Sequence, residues 1–438
     1  MQMKQADPEV KPALNDRRLC EASPFLAELV GRGRWTEGHD RDRAADELDF
    51  AAASKDFRRQ IRKMADDPEE ALLLLRRFRI RTLLDLARAD LENRLKPQQM
   101  QIHLRRLGDL LLYGAWTVAE NVLRQKYVHP LILERRSVMS PVAVCSLSRL
   151  GSMEPLYTTA PAPIFVHSRA AEFAPALREK DFVQARRSGK EWLPARDYFL
   201  RLTSRTLSYL WAPDAGGKRF DPMGEDHLLD RPALLPGPLV ILFSTFEDHF
   251  LNHQPPTQAL SLLRLRFAVG QKQLGRAVEA AARETLIQTA LKLGPRLKTA
   301  LDAWFKDRSR AEGLPMIPGG LLDIERTIRG LQFRYAPVNR SLLVPSPLKA
   351  LNLMAREGMI AAEQQKTLSR SYIWQWFIVN RLALLGNRSA LKLKFLRSNR
   401  LDDEIGLKGA SARTLAFMEA AQSVSRDLFH EGKGSAAA

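Results

Sequence analysis

Residues 142–167 read VAVCSLSRLGSMEPLYTTAPAPIFVH, and this stretch decides the fold class. At its ends stand two short β-branched or aromatic runs, Pro141-Val142-Ala143-Val144-Cys145 and Pro163-Ile164-Phe165-Val166-His167, each flanked by turn residues. Such runs predict strands, because branched and aromatic side chains suit a pleated surface. Between them Gly151-Ser152 supplies small residues of the kind that let backbone amides approach an anion. Pro238-Leu239-Val240-Ile241-Leu242-Phe243 predicts a third strand, and a helical stretch at about 196–211 separates it from the second.

On both sides the chain is helical. Asp67-Pro68-Glu69-Glu70 combines a capping residue, a proline at the first helical position and acids that complement the helix dipole. ALLLLRRFRIRTLLDLARADLENRL follows with apolar residues at helical spacing, and a second helix of about 98–127 lies across the Lys96-Pro97 break. Residues 1–22 read as a polar lead-in and 40–64 as a charge-dense surface helix. Beyond Pro256, amphipathic segments at 257–309, 321–335, 346–357 and 361–385 precede a last helix at 411–429 and a Gly/Ser/Ala tail. The expected architecture is α+β, a small mixed-sheet domain between an N-terminal helical segment and a C-terminal helical bundle. Its expected divisions are a partly disordered extension (1–64), a helical segment (65–135), the sheet domain (136–256), the bundle (257–386) and a C-terminal helix with a flexible tail (387–438).

Composition narrows the function classes. With 438 residues, 45% apolar and 27% charged, the chain has ample core and is neither collagen-like nor largely disordered. Cys20 and Cys145 are its only cysteines, which excludes a disulfide framework or a cysteine zinc site and fits a reducing cytosol. The N-terminal MQMKQADPEVKPALNDRR has no apolar signal core, and no apolar run approaches the ~20 residues of a membrane span, so a cytoplasmic protein without membrane contact is expected. Lys+Arg total 68 against 50 Asp+Glu, a net +18, which favours anionic partners. No block of five or six consecutive basic residues and no nucleic-acid-reading motif accompanies that charge, so it reads first as many solvated helix faces.

The central segment resembles the nucleotidyltransferase signature of the glutamine-synthetase adenylyltransferase family, whose members add and remove AMP on glutamine synthetase. There a strand runs into Gly-x-Gly-Lys-Leu-Gly-Gly-x-Glu-Leu and, after a short linker, Ser-Asp-x-Asp opens a second strand. Arg149-Leu150-Gly151-Ser152 is similar to the Lys-Leu-Gly-Gly core and Glu154 to the Glu, with no gap before the next strand. The flanks extend the resemblance in order over about 70–386, through the Arg/Phe-rich helix 74–91, Tyr198-Phe199-x-Arg201-Leu202, Arg231-Pro232 with Gly237-Pro238 and Arg264-x-Arg266 with Gly270. Gly319-Gly320-Leu321-Leu322-Asp323-Ile324-Glu325, Leu331-Gln332-Phe333-Arg334-Tyr335 and Arg356-Glu357-Gly358-Met359-Ile360 continue it. Family enzymes carry two such units and this chain one, with Phe-Val-His leaning toward the transferring half.

Nucleotidyl transfer needs divalent metal held by hard oxygen ligands. The positions of the family's strand-borne Asp pair are here Ala160 and Ala162, and a methyl group binds no magnesium. The third family carboxylate falls on Met223 when aligned from upstream and on His227 when aligned back from Arg231-Pro232. Glu154, Asp221, Glu225 and Asp226 are the acids from which a rearranged metal site could be built. The resemblance implies nucleotide binding at Arg149, Gly151, Ser152, Arg264 and Arg266, weakened by Ser146 and Ser148 in place of the first two family glycines. It also implies a cleft-facing Gly319, Gly320, Asp323 and Glu325, although acids after Gly-Gly equally suit a helix N-terminus, and Pro318 replaces a basic family residue.

Three further features read as ordinary. His249 and His253 have helical ligand spacing, but Phe250 replaces the glutamate of a metalloprotease motif and Pro255-Pro256 ends the helix. Tyr372, Ile373, Trp374, Trp376 and Phe377 read as bundle core rather than a base-stacking platform, and Arg283, Lys292, Arg296 and Lys298 as a solvated face. The expectation is a catalytically degenerate relative acting as a binding or regulatory protein in nitrogen regulation, with no resident metal or cofactor. ATP and magnesium enter only if the site is rebuilt, as in an active nucleotidyltransferase with unorthodox acids. Glutamine synthetase, a nitrogen-regulatory signalling protein or an active paralogue is the expected partner. A basic scaffold for nucleic acid or another anionic partner is the remaining alternative.

Overall fold

A computed structural model describes residues 16–32, 50–64, 66–128, 142–147, 149–159, 161, 163–168, 189–210, 240–252, 258–306, 317–386, 396, 398 and 400–430. Helices α1 (Asp16–Ala22), α2 (Pro24–Arg32) and α3 (Phe50–Lys63) precede α4 (Pro68–Leu91) and α5 (Pro97–Lys126). The Asp67 carboxylate accepts the Glu69 and Glu70 amides, both at 3.1 Å, and Pro68 takes the first position of α4, as its sequence signature predicts. Gln99 accepts the Lys96 amide at 3.0 Å to open α5.

Helix α1 lies inside the stretch read as a lead-in, where Leu19 is fully buried against the rest of the molecule, as is Leu26 of α2. Ser23 caps α2 by accepting the Leu26 amide at 3.1 Å and donates to the Leu384 carbonyl, tying the N-terminal helices to the far end of the bundle. The charge-dense helix expected over 40–64 is described from Phe50 onward.

Four strands, β1 (Val142–Ser146), β2 (Pro163–His167), β3 (Val240–Leu242) and β4 (Arg266–Gly270), form one mixed sheet in the order β3-β2-β1-β4. β1 is antiparallel to β2, from Val142 opposite His167 to Ser146 opposite Pro163, and antiparallel to β4, whereas β2 and β3 run parallel. β2 begins at Pro163, where the missing proline donor is tolerated. Every residue of β1 is buried, so it is the centre of the domain. By strand alternation Val142 and Val144 pack with Trp116, Phe165 and Phe199 on the face covered by α5 and α6 (Ala195–Leu210). Ala143 and Cys145 join the cluster of α7 (Phe243–Asn252) and α8 (Lys272–Leu293), with Phe246, Phe250 and Val278.

Two sequence expectations are corrected here. The third strand, expected over 238–243, is described over Val240–Leu242, and Phe243 already opens α7. The stretch 257–309, expected to be helical throughout, holds a 3-10 helix (Gln258–Arg264) and then the edge strand β4, so the sheet extends past residue 256. Five residues, Arg-Phe-Ala-Val-Gly, are too short to stand out between helical flanks. Glu279 of α8 accepts the Phe267 amide at 2.8 Å and so blunts that edge.

After a 3-10 turn at Gly294–Arg296 come α9 (Leu297–Lys306), α10 (Leu321–Tyr335), α11 (Pro347–Arg356), α12 (Ala362–Leu384), α13 (Arg400–Ile405) and α14 (Ala410–His430). Tyr372 and Trp376 are fully buried, so the aromatic cluster of α12 is core, as read. No helix of the described residues is long and apolar enough to cross a membrane. β4 ends on Gly270 at φ +101, where a Cβ would stand 2.2 Å from the Val142 carbonyl oxygen. Gly270→Ala is therefore expected to destabilise the protein by about 2–3 kcal/mol, read as a lower urea midpoint with unchanged slope.

Candidate functional site

The chain leaves β1 at Ser146 and enters β2 at Pro163 on the same end of the sheet, and the described turn is residues 149–159 of the connection. Gly151 is where this turn presses on the 3-10 helix: a Cβ there would lie 2.1 Å from the Arg264 carbonyl oxygen and 2.5 Å from that of Ser146. Only glycine fits. Ser152 is buried and donates to the Arg149 carbonyl at 3.1 Å, the Glu154 amide returns to the same carbonyl at 3.0 Å, and Met153 adopts φ +70.

Beneath the turn lies a buried charged cluster. Arg264 reaches the Glu325 carboxylate at 2.9 Å, with Arg329 of α10 3.7 Å from the same oxygen. Tyr372 of α12 donates to Glu154 Oε2, and Trp376 Nε1 donates to the Glu154 carbonyl at 3.2 Å. Burial, then the Glu325 charge, pushes the Glu154 carboxyl up to about 8, against the opposing Tyr372 hydrogen bond and the Arg329 and Arg149 charges. Burial acts on Glu325 in the same sense, but Arg264, Arg149 and Arg329 together overcome it and bring that carboxyl down to about 2. One carboxylic acid is thus held neutral and its neighbour ionised.

A second polar tie stands beside the first. The Tyr157 amide donates to Asn380 Oδ1 at 2.9 Å and its hydroxyl to Asp90 at 3.3 Å, while Arg381 pairs with Asp90 at 2.9 Å. These links lock the turn to α4 and α12. A cavity of about 70 Å³ adjoins it, with Arg76, Arg79, Leu150, Tyr157 and Tyr209 in its wall.

Of the sequence-selected residues, the structure brings Arg149, Gly151, Ser152, Glu154, Arg264 and Glu325 together. Arg266 is directed elsewhere, pairing with Asp109 at 2.5 Å and reaching the Leu150 carbonyl at 3.3 Å. Asp323 accepts the Gly319 amide at 2.7 Å, and Gly319, at φ +76, abuts the Met418 carbonyl and accepts from Gln375 at 2.7 Å. Gly319 is thus packed against α12 and α14. Ala160, Ala162, Asp221, Met223, Glu225, Asp226, His227 and His253 lie outside the described residues. Among the described residues no three His, Cys, Asp or Glu side chains are grouped to hold a metal ion. Tyr372, Arg329, Asn380 and the Asp90–Arg381 pair were not marked by the sequence as site residues. Nothing in the spacing of a bundle aromatic reveals that its hydroxyl reaches a carboxyl 218 positions away.

Helices cover both faces of this strand–turn–strand unit. The glutamate-ammonia ligase adenylyltransferase family model matches residues 15–281, and the GlnD PII-uridylyltransferase model matches 316–429, the bundle from α10 to α14. A bifunctional glutamine synthetase adenylyltransferase/adenylyl-removing enzyme of Mannheimia succiniciproducens is 24% identical over 388 residues. That match covers 84% of this chain and 37% of the relative, so the chain spans little more than a third of the relative's length. The chain belongs to the glutamate-ammonia ligase adenylyltransferase family.

Unfolding returns Glu154 from about 8 to its ordinary 4.5, so between those pH values the unfolded chain binds fewer protons and stability falls as pH rises. Glu325 acts oppositely: its contribution is full above 4.5 and is lost as pH falls toward 2. Glu154→Gln should remove the first effect, so its melting temperature relative to wild type rises from about pH 5 to about pH 8. A constant difference across that range would contradict the assignment. Glu325→Ala leaves Arg329 buried without its carboxylate and is expected to cost about 3–5 kcal/mol in chemical denaturation.

Proposed function

We propose that this chain is a catalytically degenerate member of its family, a cytoplasmic binding or regulatory protein that engages a protein of nitrogen regulation and does not transfer nucleotide. The carrying observation is an ordered family match around positions where the resemblance calls for a metal-binding Asp pair and the sequence has Ala160 and Ala162. The acids in the described part of the site support this reading. Glu154 is sealed beneath Tyr372 with its carboxyl neutral, and Glu325 is committed to Arg264 and Arg329. Neither offers magnesium an open pair of oxygens, so the residues described do not fit a metal–triphosphate centre.

The relatives' names indicate the kind of partner. Glutamine synthetase is named in one and the PII protein in the other, and both, with an active paralogue, are the proposed targets of this chain. Nucleotide contact at Arg149, Gly151 and Ser152 is not required by this reading, since the buried packing of Gly151 and Ser152 accounts for their small size.

Wild-type protein incubated with α-labelled ATP, magnesium and glutamine synthetase is expected to leave the synthetase unlabelled while retaining it, or PII, in a purified-component pull-down. Transfer of AMP that disappears in Glu225→Ala/Asp226→Ala would overturn the proposal in favour of a rebuilt metal site. Binding to neither protein would overturn the partner assignment.

A further inference from the structure

We infer that the outward face of α3 is a docking surface for an acidic helix of a partner protein. Lys55, Arg58, Arg59, Arg62 and Lys63 follow the spacing i, i+3, i+4, i+7, i+8, so they share one face of the helix. All five are exposed, while Phe50, Phe57 and Ile61 on the other side are buried and fix the helix to the core. With about 1.5 Å of rise per residue, Lys55, Arg59 and Lys63 form a row of cations repeating about every 6 Å.

Tyr113 of α5 rigidifies the adjoining row. The Arg58 guanidinium lies 5.3 Å and that of Arg62 5.9 Å from its ring centre, and Arg62 Nε donates to its hydroxyl at 2.8 Å. Asp56 is the one acid in α3, taken up by Arg59 and Gln60, each at 2.5 Å. Among the described residues Lys55, Arg58 and Lys63 enter no ion pair.

The occupant is identified by charge complementarity. Carboxylates at i, i+4 and i+8 of a partner helix repeat at the same 6 Å or so as the cation row, and guanidiniums meet them as forks. A nucleic acid fits less well. Tyr113, the aromatic ring at this face, is occupied by two guanidiniums and is not open for base stacking. The helix's polar neutral side chains are also engaged, Ser54 donating to the Phe50 carbonyl and Gln60 to Asp56, so the face offers cations alone, and a duplex is the occupant that the test sets against the acidic helix.

The test uses the full chain and two fluorescent probes, a helical peptide with glutamates at i, i+4 and i+8 and a duplex DNA of about two helical turns. Lys55→Glu/Arg59→Glu/Lys63→Glu reverses the row without touching Tyr113 or the core, and Lys55→Gln/Arg59→Gln/Lys63→Gln serves if the reversal disturbs folding. The peptide is expected to bind wild type at low salt, to weaken with added salt, and to lose at least about tenfold in affinity in either variant with unchanged circular dichroism. No peptide binding, or equal binding by a folded variant, would overturn the inference. Tenfold loss confined to the duplex would overturn it in favour of a nucleic-acid surface. The result is independent of whether the chain transfers nucleotide.

Discussion

The hydrogen bond from Tyr372 to a neutral Glu154 is the contact on which the rest of the site depends. It joins the turn after the central strand to the long helix of the bundle, in a place where an ionised carboxylate would stand beside the Glu325 charge without enough water to screen it. Two buried carboxylates so close cannot both ionise cheaply, and here the arginines decide which one does. Arg264 and Arg329 engage Glu325, which leaves Glu154 as the protonated member. Such a cluster adds little stability over an apolar core, but breaking it leaves buried charge uncompensated, so it holds one geometry of turn against bundle.

That division separates the acids of this chain into two groups. Glu154, Asp323 and Glu325, which the resemblance retains, each have a partner in the structure: Tyr372, the Gly319 amide and the Arg264–Arg329 pair. The acids that the resemblance calls for and the sequence lacks are those whose role is to hold metal, at Ala160 and Ala162. On the proposed reading, the groups kept are those the packing needs, and the absent ones are those the chemistry would need. A chain retained for its surfaces rather than its turnover would show this pattern.

Much of the fold was legible in the sequence because its signals were local. Asp67-Pro68 opened a helix as expected, and the two branched runs around the signature became neighbouring antiparallel strands. β4 was not legible, since five residues between helical segments carry too little periodicity, and only the close approach of Gly270 to Val142 makes sense of them. The site was legible in part. Arg149, Glu154, Arg264 and Glu325 were marked by motif and do come together, yet Tyr372 and Arg329 complete the cluster from helices far along the chain. Pairings of that kind are set by tertiary packing, and no spacing rule within one helix reports them. Arg266, marked with Arg264, turned instead to Asp109, because Arg264 ends the 3-10 helix and Arg266 opens β4, so the two do not share one regular element.

Isothermal titration of the purified protein with ATP, run with and without magnesium, tests the central claim most directly. The account predicts that magnesium makes no difference to the heat of the titration, because Ala160 and Ala162 stand where the resemblance calls for metal-binding acids, and Glu154 and Glu325 are sealed in the core. Magnesium-dependent binding would contradict it and place a working metal site in this chain.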